Sequence, residues 1–557
     1  MKKLKAILAV LLILAVAFSL FACNKDNGGS STGSGTTSGG STGSGTTNSG
    51  TTNSGTTGGE EKEWRSYTVG NMMWLGRFLA GLSPSESMTA CDGVFDTIIR
   101  LNPAKREFES DVLSDFYFED DTTAIMVLRP DVYFSNGDHA TAEDVYFSYW
   151  NHPERGSNWL QNHGIIWEES GPRDEYVTAF KLERPYPAFF ERGIYLLDKK
   201  WSEEVGWDSM DWYNPVGSGP YYVYEYVNDS HIILRLRETI GETYWNSAAE
   251  PMLIDEWIMR FYPDPNALFM ALQTGEVDYA DIASTNYFRD AESGGGTGYK
   301  CRSIQAGSVA YFMFGFEDTD LWYNKDLRQA VAVGVNWDQV GELAFGPAFI
   351  PAQSTASTIC PDFINPGKYE FNPAKSRELM EANGYGPNNR LSLYTVTMNG
   401  DFYRNAFEAI QFFMKDFYMD LDVDFADNAG AIAAWLAPGN TDCGSWYAFS
   451  GSPTGSYAMS VNEIRPNTGL TWSGIHDDAV IAQYDILTGS PDPAARREAT
   501  IKLQHMLFDE IYWIPYCEWM LFDGWRTDSF TEEQVIANRG AGNYIQVGRW
   551  GRVSAWN

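Results

Sequence analysis

Residues 24 to 59 are built almost wholly of Gly, Ser, Thr and Asn, in near-repeats of Ser-Thr-Gly-Ser-Gly-Thr-Thr. No side chain in that stretch can enter an apolar core, so it can only be a flexible tether. Its roughly 36 residues, at about 5–6 Å times the square root of their number, reach a mean span of about 30–36 Å. The tether divides the chain into a short N-terminal piece and a body that must fold by itself.

The N-terminal piece has a defined chemistry. Met1 to Lys5 carry three lysines, Ala6 to Leu20 are apolar or small, and Leu20-Phe21-Ala22-Cys23 follows. A basic start, an apolar run of about 15 residues and a small residue before the cut describe an export signal over residues 1–22. The run is too short for a membrane span. Leu20 to Cys23 is similar to a bacterial lipobox, in which the cysteine is lipidated and becomes the first mature residue. Cys23 is therefore the expected lipidation site, and residues 23–60 the lipidated cysteine plus tether. One acyl chain binds a membrane marginally, so stable anchoring implies more than one chain on Cys23.

Composition narrows the function of the body. Lys plus Arg number 40 against 74 Asp plus Glu, a net charge of −34. Such a surface repels phosphate backbones, which excludes nucleic acid as a main partner. Trp, Tyr and Phe together make up 15% of the chain, and aromatic faces serve equally as core filling and as platforms for peptides or sugar rings. Six cysteines (Cys23, Cys91, Cys301, Cys360, Cys443 and Cys517) show no Cys-x-x-Cys or zinc spacing. With Cys23 lipidated at least one of the others is unpaired, and they read as small buried apolar residues. The six histidines are scattered without metal-ligand spacing, and no metalloprotease, P-loop or dinucleotide motif occurs. His139 and Glu143 straddle a helix start and read as solvent-facing. No metal, cofactor or catalytic residue is expected.

Strand and helix signals alternate irregularly. Ala124–Arg129, Tyr221–Val227, His231–Leu236 and Tyr311–Phe316 read as strands, with a turn at Asn228-Asp-Ser230 joining the middle two. Thr141-Ala-Glu-Asp144 reads as a capping box opening a helix over Glu143–Trp150. Asn372-Pro373 opens a helix over Ala374–Asn383 with Gly384 beyond its end, and Asp492-Pro493 opens one through Met506. Asn266–Thr274 is a short helix closed by Gly275. The expectation is a mixed α/β body with more than one sheet.

Several stretches then point in one direction. Leu128-Arg-Pro-Asp-Val-Tyr-Phe-Ser-Asn-Gly-Asp-His-Ala-Thr-Ala-Glu-Asp-Val-Tyr-Phe-Ser148 resembles the signature of the family 5 extracellular solute-binding proteins, the oligopeptide-, dipeptide- and nickel-type binding components of ABC importers. Asp96-Thr-Ile-Ile-Arg100 lies upstream of it, and Asn214-Pro-Val-Gly-Ser-Gly-Pro-Tyr-Tyr222 downstream. Pro263 to Asp278, Asp326 to Val331 with Asn336 to Val340, Phe371 to Met380 with Gly384-Tyr385, and Pro491 to Arg497 with Trp513 to Tyr516 resemble later elements in the family's order. Physically these are mainly scaffold motifs, namely caps, tight backbone paths and core helices.

The resemblance implies a two-lobed α/β fold like the periplasmic binding proteins (type II, cluster C) with an extra domain inserted in the first lobe. Its expected division is 61–100, 210–305 and 510–557 for lobe I, 101–209 for the inserted domain and 306–509 for lobe II. It implies a monomer that closes on a small solute, delivers it to permease subunits driven by cytoplasmic ATPases, and does no chemistry. In the family's peptide binders a stretch like Trp-x-Ala-Asp-Tyr supplies a carboxylate to the peptide's ammonium. Here the segment is Ser445-Trp-Tyr-Ala-Phe-Ser-Gly451, with Phe449 in the acid's place. An ammonium buried without a carboxylate is costly. Either another acid such as Glu86 holds it, or the ligand is neutral, an oligosaccharide stacked on Trp446, Tyr447, Trp435 and Trp74. Tyr311 completes the candidate ligand residues. A peptide-signal receptor without transport and a surface hydrolase are the rival classes.

Overall fold

The computed structural model of the protein describes residues 65–71, 93–102, 107–154, 164–191, 194–206, 213, 215–237, 252–262, 264–281, 290, 292–316, 321–360, 362–426, 431, 434, 441–449 and 474–538. In chain order the strands are β1 (Ser66–Asn71), β2 (Arg100–Asn102), β3 (Glu107–Glu109), β4 (Leu113–Asp120), β5 (Thr123–Leu128), β6 (Gly171–Pro172), β7 (Val177–Lys181), β8 (Tyr221–Val227), β9 (His231–Leu236), β10 (Glu256–Phe261), β11 (Tyr279–Asp281), β12 (Tyr299–Phe314), β13 (Leu391–Met398), β14 (Met419–Ala426), β15 (Cys443–Phe449) and β16 (Trp513–Arg526). The helices used below are α1 (Ala142–Glu154), α2 (Lys199–Val205), α3 (Pro265–Thr274), α4 (Lys325–Gly334), α5 (Trp337–Phe345), α6 (Pro373–Ala382), α7 (Asp401–Lys415), α8 (Asp478–Gly489) and α9 (Pro493–Asp509).

Eight strands form one sheet in the order β15-β12-β16-β11-β1-β10-β9-β8. Strand β1 lies parallel to both β10 and β11, although some 190 positions separate its paired residues Ser66 and Glu256. Parallel neighbours need a crossover, and this one is long enough to hold a four-stranded sheet, β4-β5-β7-β6. That sheet has its own core, in which Met126, Phe134, Tyr149, Phe180 and Phe189 are buried. A second core lies around Trp257, Tyr221 and Trp525. The third and largest packs β12 and β16 against α4, α5, α7 and α9.

The helix starts follow local chemistry. Asp264 accepts from the Asn266 and Ala267 amides at 2.9 and 3.0 Å, and Gly275 ends α3 in the left-handed region. Asn372 caps α6 through the Lys375 amide, and Asp492 caps α9 through the Ala494 amide. At α1 the capping box is half formed. The Thr141 amide and hydroxyl both donate to Asp144, so the hydroxyl is used by the carboxylate and not by a first-turn amide. Asp144 also accepts from the Lys199 amide, which ties α1 to α2. Burial pushes its carboxyl up despite those donors.

The stretch around Gly217 is fixed by close approach. A Cβ on Gly217 would lie 1.9 Å from the Val94 carbonyl oxygen. Gly219 donates to that same oxygen at 2.8 Å, and the Ser218 hydroxyl accepts from the Asp96 amide at 3.0 Å. The buried Arg237 donates to the Ser218 and Gly219 carbonyls from one side and to Tyr133 from the other. Burial drives its guanidinium down to about 10. Asp278 closes the next motif, accepting from the Thr68 amide at 2.7 Å and from the Ser529 hydroxyl, and burial raises its carboxyl as well.

Candidate functional site

Two long strands, β12 and β16, run antiparallel through the large sheet and change partners along their length. In one half Tyr299 to Gln305 pair with Arg526 to Met520, and β16 also pairs with β11. In the other half Val309 to Met313 pair with Glu518 to Trp513, while Ser308 to Phe314 pair with Phe449 to Cys443 of β15. Between the halves the register slips, and Ala306, Gly307 and Ser308 face Trp519 alone. Gly307 has φ +71°, a backbone that glycine adopts without the Cβ penalty, and it lets the strand bulge there.

Polar clusters hold the two halves on either side of the bulge. On the β11 side, Asp523 is fully buried and accepts from Tyr279 OH at 2.8 Å and from Arg302 Nη2 at 3.0 Å. On the β15 side, Glu518 is also fully buried. It accepts from the Ser357 hydroxyl at 2.6 Å and the Thr358 amide at 2.9 Å. Gln305, the last residue before the bulge, donates to Thr358 Oγ1 at 2.7 Å. The Glu518 amide donates to the Ile350 carbonyl at 2.9 Å. Residues 350–358 thus strap the strands just where the register between β12 and β16 slips.

The candidate ligand residues fall into three groups. Trp446, Tyr447 and Phe449 have their backbone in β15, opposite Tyr311, Ala310 and Ser308. Cys23, Trp74, Glu86 and Trp435 lie outside the described residues. Tyr311 itself lies in β12, across from Trp446. It is fully buried and stacks on Trp513 with centroids 4.7 Å apart and planes 2° from parallel. Its neighbours Phe312 and Phe314 pack on Trp337 and Trp322 of the helical side, so this part of β12 is covered by packing. Gln305, Ser308 and Glu518, which stand at the register slip, carry no motif in the sequence. The available signal was Ala306-Gly307-Ser308, three small residues interrupting a strand-like run.

Elsewhere a cavity of about 630 Å³ lies between α1 and α2, lined by Asp138, Thr141, Glu143, Asp144, Asp198 and Lys199 among others. Its charges largely serve the scaffold. Lys199 pairs with Glu143, Lys200 pairs with Asp138, and Asp198 caps α2 through the Trp201 amide. His139 lines it too, with Nε2 2.7 Å from the Pro130 carbonyl oxygen. Among the described residues no group of His, Cys, Asp and Glu could hold a metal ion. Cys301, Cys360, Cys443 and Cys517 are free and buried, and burial raises each thiol. No described helix is long and apolar enough to cross a membrane.

The family model described as bacterial extracellular solute-binding proteins, family 5 Middle, matches residues 107–462. A putative ABC transporter peptide-binding protein of Brucella ovis is 21% identical over 425 residues, covering 72% of this chain and 77% of that protein. Among solved structures, NikA from Staphylococcus aureus in complex with Ni(L-His)2 superposes with TM-score 0.70 at 16% identity, covering 86% of this chain and 98% of that one. The periplasmic binding protein DppA from Helicobacter pylori, in complex with peptide STSA, gives TM-score 0.71 at 17% identity, covering 87% and 97%. The fold is therefore the two-lobed α/β architecture of these binding proteins. The family match spans more than half of the chain, and the protein belongs to the family 5 bacterial extracellular solute-binding proteins, the extracytoplasmic binding components of ABC importers.

Proposed function

We propose that the protein captures peptides outside the cytoplasmic membrane, encloses them between its lobes and hands them to permease subunits powered by cytoplasmic ATPases. The observation that carries this is the family match over residues 107–462, joined to a curated relative described as peptide-binding that aligns over most of both chains. The lobes divide at 61–100, 210–305 and 510–557 for the first, 306–509 for the second and 101–209 for the inserted domain. The register slip between Gln305 and Val309 and the separate core around Met126 and Phe180 support that division. Closure is a hinge motion whose equilibrium shifts by the ligand's differential affinity for the closed state. The protein acts as a monomer, makes and breaks no covalent bond, and is held to the membrane by lipid on Cys23 through the tether. Phe449, where the family's peptide binders carry an acid, favours an oligosaccharide as the second reading.

The test is a thermal-shift series on the mature chain with di- to hexapeptides beside cello-, xylo- and manno-oligosaccharides. A ligand at about 100 times its Kd adds about 2.7 kcal/mol to the native state, which raises the melting temperature of a body this large by about 2–3 °C. A rise with peptides bears the proposal out. A rise with sugars alone replaces it with the second reading.

A further inference from the structure

Ser308 is fully buried, and its Oγ makes no hydrogen bond to any described residue. A buried hydroxyl left without a partner opposes folding, and native proteins keep few of them. At most buried sites an alanine would do better, so such a group calls for a reason.

Its position supplies one. Ser308 ends the three-residue bulge where β12 passes from one half of the large sheet to the other. On its free side it is paired with Phe449, the last residue of β15. The polar groups beside it are already engaged. Gln305 donates to Thr358, and Glu518 takes its donors from Ser357 and Thr358. Ser308 is thus a polar side chain at the junction that those groups leave unpaired. Ser202 shows what the same feature means inside a scaffold. Its hydroxyl is also buried and unpaired, but it sits in the short helix α2, away from β12, β15 and β16. The lack of a partner alone therefore does not mark a site, whereas the same lack at the junction, in register with the candidate strand β15, does.

We propose that the Ser308 hydroxyl hydrogen-bonds the bound solute directly at the junction of the lobes. This rests on the peptide reading above and specifies it. A hydroxyl both donates and accepts, so Ser308 takes a neutral polar group of the peptide, a backbone carbonyl or amide, and not its charged terminus.

The experiment compares wild type, Ser308→Ala and Ser202→Ala by thermal melting without ligand and by titration with an equimolar tetrapeptide mixture and, separately, with cello-oligosaccharides. Neither variant should lower the melting temperature of the free protein, because neither removes an internal hydrogen bond. Ser308→Ala should weaken tetrapeptide binding about three- to tenfold, the worth of one neutral hydrogen bond, and Ser202→Ala should not change it. Equal tetrapeptide affinity in wild type and Ser308→Ala overturns the role of Ser308 and leaves the peptide reading standing. A lower melting temperature of free Ser308→Ala overturns it too, by revealing an internal partner. A wild type that answers only to sugars overturns the peptide reading. The inference then survives only if Ser308→Ala weakens sugar binding by the same factor. Response to neither probe overturns both.

Discussion

The buried pair between Arg302 and Asp523 allows a worked prediction. Asp523 Oδ2 accepts from Arg302 Nε at 3.2 Å and Nη2 at 3.0 Å, and Oδ1 accepts from Tyr279 OH at 2.8 Å. The Asp523 side chain has no solvent exposure and that of Arg302 has 15%, so water screens the pair little. The three side chains come from adjacent strands, β12, β16 and β11, on one side of the bulge. Truncating Asp523 to alanine removes the buried carboxylate to which both the guanidinium and the phenol donate. The expected loss is about 3–5 kcal/mol. At about 2.1 cal/mol/K of unfolding entropy per residue, a body of this size loses about 1 °C per kcal/mol, so the melting temperature falls by about 3–5 °C. Replacing the pair together, as Arg302→Met with Asp523→Leu, should recover most of the loss, because apolar packing removes the desolvation cost along with the attraction. Urea unfolding measures both, with the midpoint shifting at constant slope. A loss below about 1 kcal/mol for Asp523→Ala, or losses that simply add in the double variant, would show that water reaches the pair and that it does not clamp the strands.

Gly217→Ala should destabilise by about 3 kcal/mol, since its Cβ meets the Val94 carbonyl oxygen at 1.9 Å and backbone must move. Gly386→Ala, with open space at that Cβ, should stay within about 0.5 kcal/mol in the same denaturation assay. Asp120 at the β4–β5 turn accepts from the Thr122 amide and from the Thr122 and Thr123 hydroxyls, which hold its carboxyl down at about 2. A depressed folded value stabilises above the unfolded carboxylate range and is lost as pH falls through about 2. A carbon-13 titration of Asp120 should therefore have its midpoint well under 3, and a midpoint near 4 would disprove the turn geometry. Cys23→Ser should move the protein from the detergent phase to the aqueous phase on detergent partitioning, and a variant that stays with the detergent would rule out the anchor.

Elements whose cause is local were legible from sequence. Strands β8 and β9 run over Tyr221–Val227 and His231–Leu236 as their alternation and the Asn228-Asp-Ser230 turn dictate. The starts of α3, α6 and α9 follow from Asp or Asn before Pro. Strand β12 was legible only in its second half. Lys300, Arg302 and Gln305 break the apolar pattern before Gly307, and what holds Tyr299–Gln305 extended is pairing with β16, more than 200 residues away in sequence. No window of sequence carries that information. The same limit explains Tyr311. Aromatic character suits a core and a ligand platform alike, and its stack on Trp513 is contributed by a distant strand that no local pattern announces.

The junction has the physical character that lobe closure needs. A strand pair that continued its ladder unbroken from one half to the other would resist bending, because every residue's backbone hydrogen bonds would have to strain together. Here the ladder is interrupted between Gln305 and Val309, and it slips once more between Ala310 and Tyr311. Arg302, Asp523 and Tyr279 tie three strands on one side, and Glu518 with Ser357 and Thr358 ties the strap on the other. The gap holds three small residues, one of them a glycine already in the left-handed region. On the lobe division proposed above, bending at Ala306–Ser308 would disturb few ladder hydrogen bonds. That is also where Ser308 keeps an unused hydroxyl beside the end of β15. On that division, a solute that bonded this hydroxyl would gain contact where the lobes meet, so its free energy of binding would favour closure.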